Sequence, residues 1–493
     1  MMKVELLRAG DKGLEDTYLK DGIWKRKHPT GNTIKLMPFV TTALRDSSHD
    51  FQSFQGIVGE CFRISNNKAF DKAFATDKES SFKKKLRNHI LIEVIDKVNS
   101  DNTEEFKDII INLFFEEDSG LIKFNQQVLP YMNFITNHPQ LNETSRFFYD
   151  IFLDAETLNG KELTSSDNDN LFYQLIVDCL PELANKKTNT SSKQYANLFE
   201  EIKVQFLEDF KFLASNEETF LKHIEDLFKY YYFFYLTQLA QRLNSFGLSE
   251  GISPIYFSMD WETLSGSRLS YQYGWKKLEF ELEGLFSHAN TIELLNYITI
   301  NGDSIGDYLN IKQKWTGLTT AEQKELIEKI KETSQFYTDH IDGLDTGESW
   351  AKCEKEIESY LDRNTNKFQD ELSRELISFY RRIKYQFDNS TRKSAKNKYE
   401  NWLISFCINN YTKTRGRLGL TTVLNQELLL FQTKLCVGNE EKIRLNELWE
   451  RLNKRGLTFD EKSKAEIIKL FERINLLEKK SDSGDAQYVK SII

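Results

Sequence analysis

The run KIRLNELWERLNKRGLTFDEKSKAEIIKLFERINLLEKKSDSGDAQYVKSII, residues 442–493, decides how this chain is read. Leu445, Leu448, Trp449 and Leu452 recur at helical spacing and form one apolar stripe on a short helix. Arg455-Gly456 ends it, glycine supplying the left-handed backbone that closes a helix. Thr458 and Glu461 have the form of a capping box, which predicts a second helix from there, with Ile467, Ile468, Phe471 and Ile474 turned inward. Residues 476–480 and 487–492 are short and β-prone, and Ser481-Asp482-Ser483-Gly484-Asp485 between them is turn chemistry. Two helices followed by a hairpin is the plan of a winged helix. On its second helix Lys462, Glu466, Lys469 and Arg473 share the outward face, and Lys479 and Lys480 lie on the wing. A helix that reads a DNA groove needs donors on that face. A module that only holds protein has the same plan. From Asn439 onward 12 Lys/Arg stand against 11 Asp/Glu, and Glu466 sits within the face, so both readings stand.

Working outward, all six prolines lie at or before Pro254, and the 239 residues after it carry Leu, Ile and Phe at helical spacing. The fold expected is mainly α and multi-domain, with the C-terminal winged helix and a minor β element near 253–262 (SPIYFSMDWE). Four segments are expected: a helical or mixed domain over 1–160, a central helical domain over 161–316, a helical segment over 317–419 ending in a basic patch, and the winged helix over 420–493. Helices are predicted over 79–98, 106–115, 199–246, 319–336 and 349–387, the last with a break near Asn364. The five cysteines are scattered with no CxxC pair, which fits a reduced, cytoplasmic chain. The N-terminus has no apolar signal region, and the most apolar stretch, 230–236, is too short to span a bilayer, so no membrane partner is expected.

The sharpest charge feature is 373–417, which carries 11 cations against three carboxylates. That segment is +8, whereas the rest of the chain is −17. A sign split of this size within an acidic protein is what a phosphate-binding surface on a soluble scaffold gives. Arg381, Arg382, Lys384, Arg392, Lys393, Lys396, Lys398, Arg415 and Arg417 are the candidate phosphate contacts, joined by Lys462, Lys469, Arg473, Lys479 and Lys480 from the C-terminal module. Tyr380, Tyr385, Phe387, Tyr399 and Trp402 interleave with them and either stack on bases or anchor helices. A basic face paired with the acidic remainder of the chain is the competing reading.

Enzyme signatures are missing: there is no GxxxxGK[ST], HExxH, zinc spacing or GxSxG. No cofactor or metal is expected. Asp260 and Glu262 close the apolar run before them and are the only catalytic candidates, since two carboxylates at a strand end can hold Mg²⁺ for phosphodiester cleavage. Ser265, Ser267, Arg268 and Lys276 follow. Alternation would place both carboxylates on one strand face with Trp261 on the other, as in any half-buried strand.

Several blocks resemble the DNA phosphorothioation-dependent restriction protein DptG (DndG) family: KLMPFV, YYFFYLTQLAQRL, IYFSMDWETLSGSR followed by GW, TRGRLG, and LWERLNKRG through NLLEKKSDSGDAQYVK. They span roughly residue 35 to the C-terminus, and none is a mechanistic motif. The resemblance implies a bacterial defence role, in which a three-subunit assembly attacks DNA lacking a sulfur mark on its phosphates. It implies two ATPase partners, DptF and DptH, and double-stranded DNA. The expectation is a non-catalytic DNA-binding and assembly subunit. The alternatives are an adaptor that bridges the ATPase partners without touching DNA, and a metal-dependent nuclease subunit using Asp260 and Glu262.

Overall fold

The computed structural model describes residues 2–8, 13–25, 28–39, 54–71, 74, 79–98, 102–116, 120–132, 139–153, 170–186, 193–341, 343–479 and 487–492. They are mainly helical, with several small sheets. The chain groups into two compact bodies, each built from separated stretches. The first comprises Met1–Leu36, Leu236–Gln426 and Gly456–Ile468; the second comprises Met37–Tyr235, Glu427–Arg455 and Lys469–Ile493. The division falls inside three helices, Glu217–Asn244, Gln426–Val437 and Glu461–Arg473.

In the first body the helix Glu371–Asp388 is central. Leu372, Leu376, Ile377, Tyr380, Ile383 and Phe387 recur at helical spacing and are buried. Asp370 caps its start by accepting the Ser373 N–H at 2.8 Å. It packs against Leu285–Leu295, Thr320–His340 and Trp350–Arg363. The Thr320–His340 helix begins in a capping box, in which Glu322 accepts the Thr319 N–H at 2.8 Å and Thr319 accepts the Glu322 N–H at 3.4 Å. Trp350–Arg363 ends at Asn364, where the sequence predicts the break.

An N-terminal strap crosses this body and is held by one carboxylate. Glu293 is fully buried. Its Oε1 accepts the backbone N–H of Asn32 at 3.1 Å and of Thr33 at 2.8 Å, and its Oε2 accepts that of Ile34 at 3.2 Å. The Tyr18 hydroxyl donates to the same Oε1 at 3.3 Å. Burial pushes the Glu293 carboxyl above its ordinary range, and the backbone donors hold back the rise.

The second body has an aromatic centre. The ring-rich turn Tyr230 to Tyr235 is buried, and Phe148 stacks on Phe228 with centroids 4.2 Å apart. Arg455 does more than end a helix. It is buried and grips Asp209 at 3.0 and 2.5 Å, while its carbonyl accepts the Tyr230 hydroxyl at 2.5 Å and Asp209 accepts that of Tyr231 at 2.6 Å. Gly456 has φ +79°, as the helix stop requires. Lys442–Arg444, Gln487–Lys490 and Leu477–Lys479 form an antiparallel sheet in that order, with the helix Leu445–Lys454 packed on it.

Three expectations are corrected. Thr458 does not cap the Glu461–Arg473 helix: it lies in the strand Leu457–Phe459, and Asp460 is the cap, accepting the Ser463 N–H at 3.0 Å. Ile474 is exposed at 39%, and Leu470 is buried instead. The β element near 253–262 is the strand Ile255–Met259, and Asp260 to Glu262 form a turn, so strand alternation does not place the two carboxylates. The wing turn at 480–486 lies outside the described residues, as do 155–169 and 187–192 of the loop-rich region. No described helix is long and apolar enough to cross a membrane.

Removing the Glu293 carboxylate orphans three backbone donors. Glu293→Ala is expected to destabilise the first body by about 3 kcal/mol, at ~1–3 kcal/mol for each buried polar group left unsatisfied. Faster tryptic cleavage within residues 25–36 than in the wild type is the measurement; an unchanged cleavage rate counts against the clamp.

Candidate functional site at the edge of a mixed sheet

The first body contains a four-stranded sheet in the order Leu457–Phe459, Ile255–Met259, Leu420–Leu424, Thr412–Thr414. The first three strands are parallel and the fourth is antiparallel. The strand earliest in sequence is in the middle, and later strands add on both sides of it. In open parallel sheets the carboxyl ends of strands around such a reversal are where ligands bind. Here those ends lead into Asp260, Glu262, Asn425 and Asp460.

One guanidinium ties this edge together. Arg268 donates to Asp460 at 2.7 and 2.5 Å, to Glu262 at 3.1 Å and to the Ser463 hydroxyl at 2.9 Å. Arg268, Glu262 and Asp460 are each no more than 7% exposed. Glu262 also accepts the Met259 N–H at 2.7 Å and the Ser463 hydroxyl at 2.6 Å. Asp460 accepts the Ser270 N–H and hydroxyl at 3.2 and 2.8 Å. Burial alone would raise the Asp460 carboxyl, but Arg268 and the Ser463 and Ser270 donors hold it well below the usual range. Glu262, one of the two catalytic candidates, is therefore engaged on both oxygens by protein donors. Asp260 does not join this network. Its N–H donates to the Leu424 carbonyl, and its own carbonyl accepts Lys413 Nζ at 2.8 Å. Among the described residues no three His, Cys, Asp or Glu side chains cluster as metal ligands.

Arg415 clamps the same turn from the other side. It donates to the carbonyls of Glu262 and, at 2.6 Å, Met259, and to the Thr421 hydroxyl at 3.2 Å. Gly274 allows the close approach: a Cβ there would lie 2.4 Å from Thr422 Oγ1 and 2.3 Å from the Ser270 carbonyl. Around the edge Trp261, Leu269 and Tyr273 are 41–49% exposed. Lys413 and Arg417 are exposed on the adjoining hairpin. The strand Ile255–Met259 with its loop to Arg268, the hairpin over 414–419 and the run Leu457 to Asp460 thus meet at one sheet.

The basic segment is used differently residue by residue. Arg382 forms a paired-oxygen bridge to Glu354 at 2.7 and 2.8 Å. Lys384 and Lys396 share Asp388 at 2.9 and 2.6 Å. The Arg381 guanidinium lies 3.4 Å over the Tyr360 ring. Arg392 is part-buried just before the helix Lys393–Tyr411, while Lys393, Lys398 and Arg417 are exposed. Tyr380, Tyr385, Phe387 and Trp402 are buried and act as helix anchors. In the C-terminal run Lys462, Lys469, Arg473 and Lys479 are exposed, Lys479 pairing with Glu472 at 2.5 Å. Lys462 belongs to the first body and the other three to the second. Lys480 lies outside the described residues.

Asp460 and the Glu293 clamp went unread in the sequence. Arg268 stood six residues beyond Glu262, but its second partner is 192 residues away, with no local pattern to reveal it. Comparison with protein-family models and with curated proteins finds no match.

Two outcomes follow. Arg268→Ala leaves two buried carboxylates uncompensated and is expected to cost about 3–5 kcal/mol, read by urea unfolding; a cost below about 1 kcal/mol, the range of an exposed pair, would show that the network is solvated. Burial pushes the Glu400 carboxyl up to about 8. Stability linked to it is complete below the ordinary carboxyl range and is lost as pH climbs through about 8. Glu400→Gln should therefore flatten the fall of melting temperature between about pH 4.5 and 8, checked by a thermal-melt series across pH.

Proposed function

We propose that this chain is a non-catalytic DNA-binding and assembly subunit of a bacterial phosphorothioation-dependent restriction complex, working beside the ATPase subunits DptF and DptH against DNA that lacks the sulfur mark. The resemblance supplies the system. One structural observation carries the DNA part. From Lys442 onward the elements run strand, helix, helix and two strands, with Leu457–Phe459 between the helices, and the three strands Lys442–Arg444, Gln487–Lys490 and Leu477–Lys479 pair in an antiparallel sheet. We read this order as a winged helix. Its second helix exposes Lys462, Lys469 and Arg473, and its wing strand exposes Lys479.

The adaptor reading draws on a different observation. Arg382, Lys384, Lys396 and Arg415 are engaged by groups of their own body, which reduces the mid-chain candidates for phosphate contact. Exposed Lys393, Lys398, Arg417 and Lys462 remain in the first body and Lys469, Arg473 and Lys479 in the second, each body offering its own phosphate contacts. These position a duplex and do not read its sequence.

Such contacts make affinity fall steeply between about 50 and 200 mM salt. Anisotropy with a labelled duplex is expected to show that dependence, and Lys469→Glu with Arg473→Glu should reduce its slope by about two contacts. A duplex affinity that ignores salt, or no retention of duplex by the purified chain, would leave the adaptor reading in its place.

A further inference from the structure

A pocket of about 180 Å³ opens between the helices Trp350–Arg363 and Glu371–Asp388 of the first body. Its polar lining comes from Glu356, Arg381, Lys384, Tyr385 and Asp388, over a buried apolar floor of Cys353 and Ile357. We propose that this pocket is a seat for a single phosphate group, with the Arg381 guanidinium as its principal donor.

Three observations lead there. The first is the state of Arg381. Its guanidinium carbon lies 3.4 Å from the centroid of the Tyr360 ring, a cation–π contact that occupies one face of the group and leaves its N–H groups for other partners. Among the described residues none of those N–H groups has a hydrogen-bonded partner, and no carboxylate is within ion-pair distance. Its neighbour Arg382 is saturated by Glu354. Two adjacent arginines on one helix thus differ in kind, one structural and one pre-oriented with unused donors.

The second is the local charge. Asp388 is the carboxylate facing the pocket from the same helix, and it is held between two ammonium groups, Lys384 at 2.9 Å and Lys396 at 2.6 Å. Burial works against its ionisation, but those two hydrogen bonds keep it below the usual carboxylate range. Glu400, 3.8 Å from Lys396, is pushed up to about 8 by burial and so is largely neutral at pH 7. Arg381, Lys384 and Lys396 therefore outweigh Asp388 by two charges. Two carboxylates oppose an incoming anion: Glu356 on the exposed rim, and Glu348, which accepts the Tyr385 hydroxyl and is paired with Lys352 at 2.7 Å.

The third is size and chemistry. The pocket has the volume of about six waters, which suits a tetrahedral oxyanion and its remaining hydration and not a nucleobase. Arginine presents paired N–H groups that match two oxygens of a phosphate. Burial pushes the Cys353 thiol up to about 12, so the floor offers no nucleophile and the pocket binds without reacting.

The ligand is defined by its phosphate; it is either free in solution or the terminal phosphate of a nucleic-acid strand. This inference stands apart from the duplex reading, because it is tested with phosphate alone. Calorimetric titration of the full chain with inorganic phosphate in a low-chloride buffer is expected to give one site. Arg381→Ala should weaken it by about tenfold and Arg381→Lys by less, because lysine keeps the charge and loses the fork. Glu356→Gln should tighten it by about two- to threefold, a gain that misfolding cannot mimic. The second arm compares a short duplex with 5′-phosphate ends with the same duplex with 5′-hydroxyl ends. An Arg381-dependent preference for the phosphorylated ends assigns the seat to strand termini; equal binding of both, with inorganic phosphate still dependent on Arg381, assigns it to free phosphate. No phosphate binding, or binding unchanged in Arg381→Ala while its melting temperature matches the wild type, overturns the proposal.

Discussion

A guanidinium buried with two carboxylates is the constraint on which the first body's sheet depends. Neither Glu262 nor Asp460 is tolerable in that environment without Arg268, and Arg268 is not tolerable without them. The three come from a loop after the central strand and from the end of an edge strand. The pairing therefore fixes which strand lies beside which, in a sheet whose individual strands are only three to five residues long. Short parallel strands supply few ladder bonds, and the ionic knot at their carboxyl ends adds the specificity that the backbone alone lacks. Arg455 with Asp209 plays a comparable part in the second body, where a helix stop is also an anchor.

Helices were legible in this sequence because their information is local. The stripe of Leu445, Leu448 and Leu452, the capping box at Thr319 and Glu322 and the break at Asn364 each need fewer than a dozen residues to be seen, and each is present. The sheet was not legible. Leu457–Phe459 is three residues long and follows a glycine, which in isolation reads as the lead-in to a helix. Only its long-range partner, Ile255–Met259, makes it a strand and moves the helix cap from Thr458 to Asp460. The same distance hid the two-body division, since reading along the chain yields consecutive segments and contacts group non-consecutive ones.

Charge was legible in sum and not in detail. The surplus of cations over 373–417 is real in composition, yet its members serve three purposes. Arg382 and Arg415 hold structure, Lys384 and Lys396 surround one carboxylate, and Lys393, Lys398 and Arg417 face solvent. A count of basic residues has no means of telling these apart, because the deciding partners, Glu354 and the Met259 carbonyl among them, lie outside the segment. Catalytic candidates suffer the same ambiguity: Glu262 looked like one half of an acidic pair, and its geometry is that of a buried bridge to Arg268.

The position of Ile255–Met259 in the middle of its sheet bears on how the molecule is made. A ribosome emits this strand early, its first parallel neighbour, Leu420–Leu424, much later, and its second only with Leu457–Phe459. Until then an apolar strand has open edges, first on both sides and then on one, the kind of surface that joins with other nascent chains. The Asp460 that locks it emerges 192 residues after Arg268. Completion of this body therefore waits for residues 457–460, and a message broken before that point encodes a sheet without its closing member.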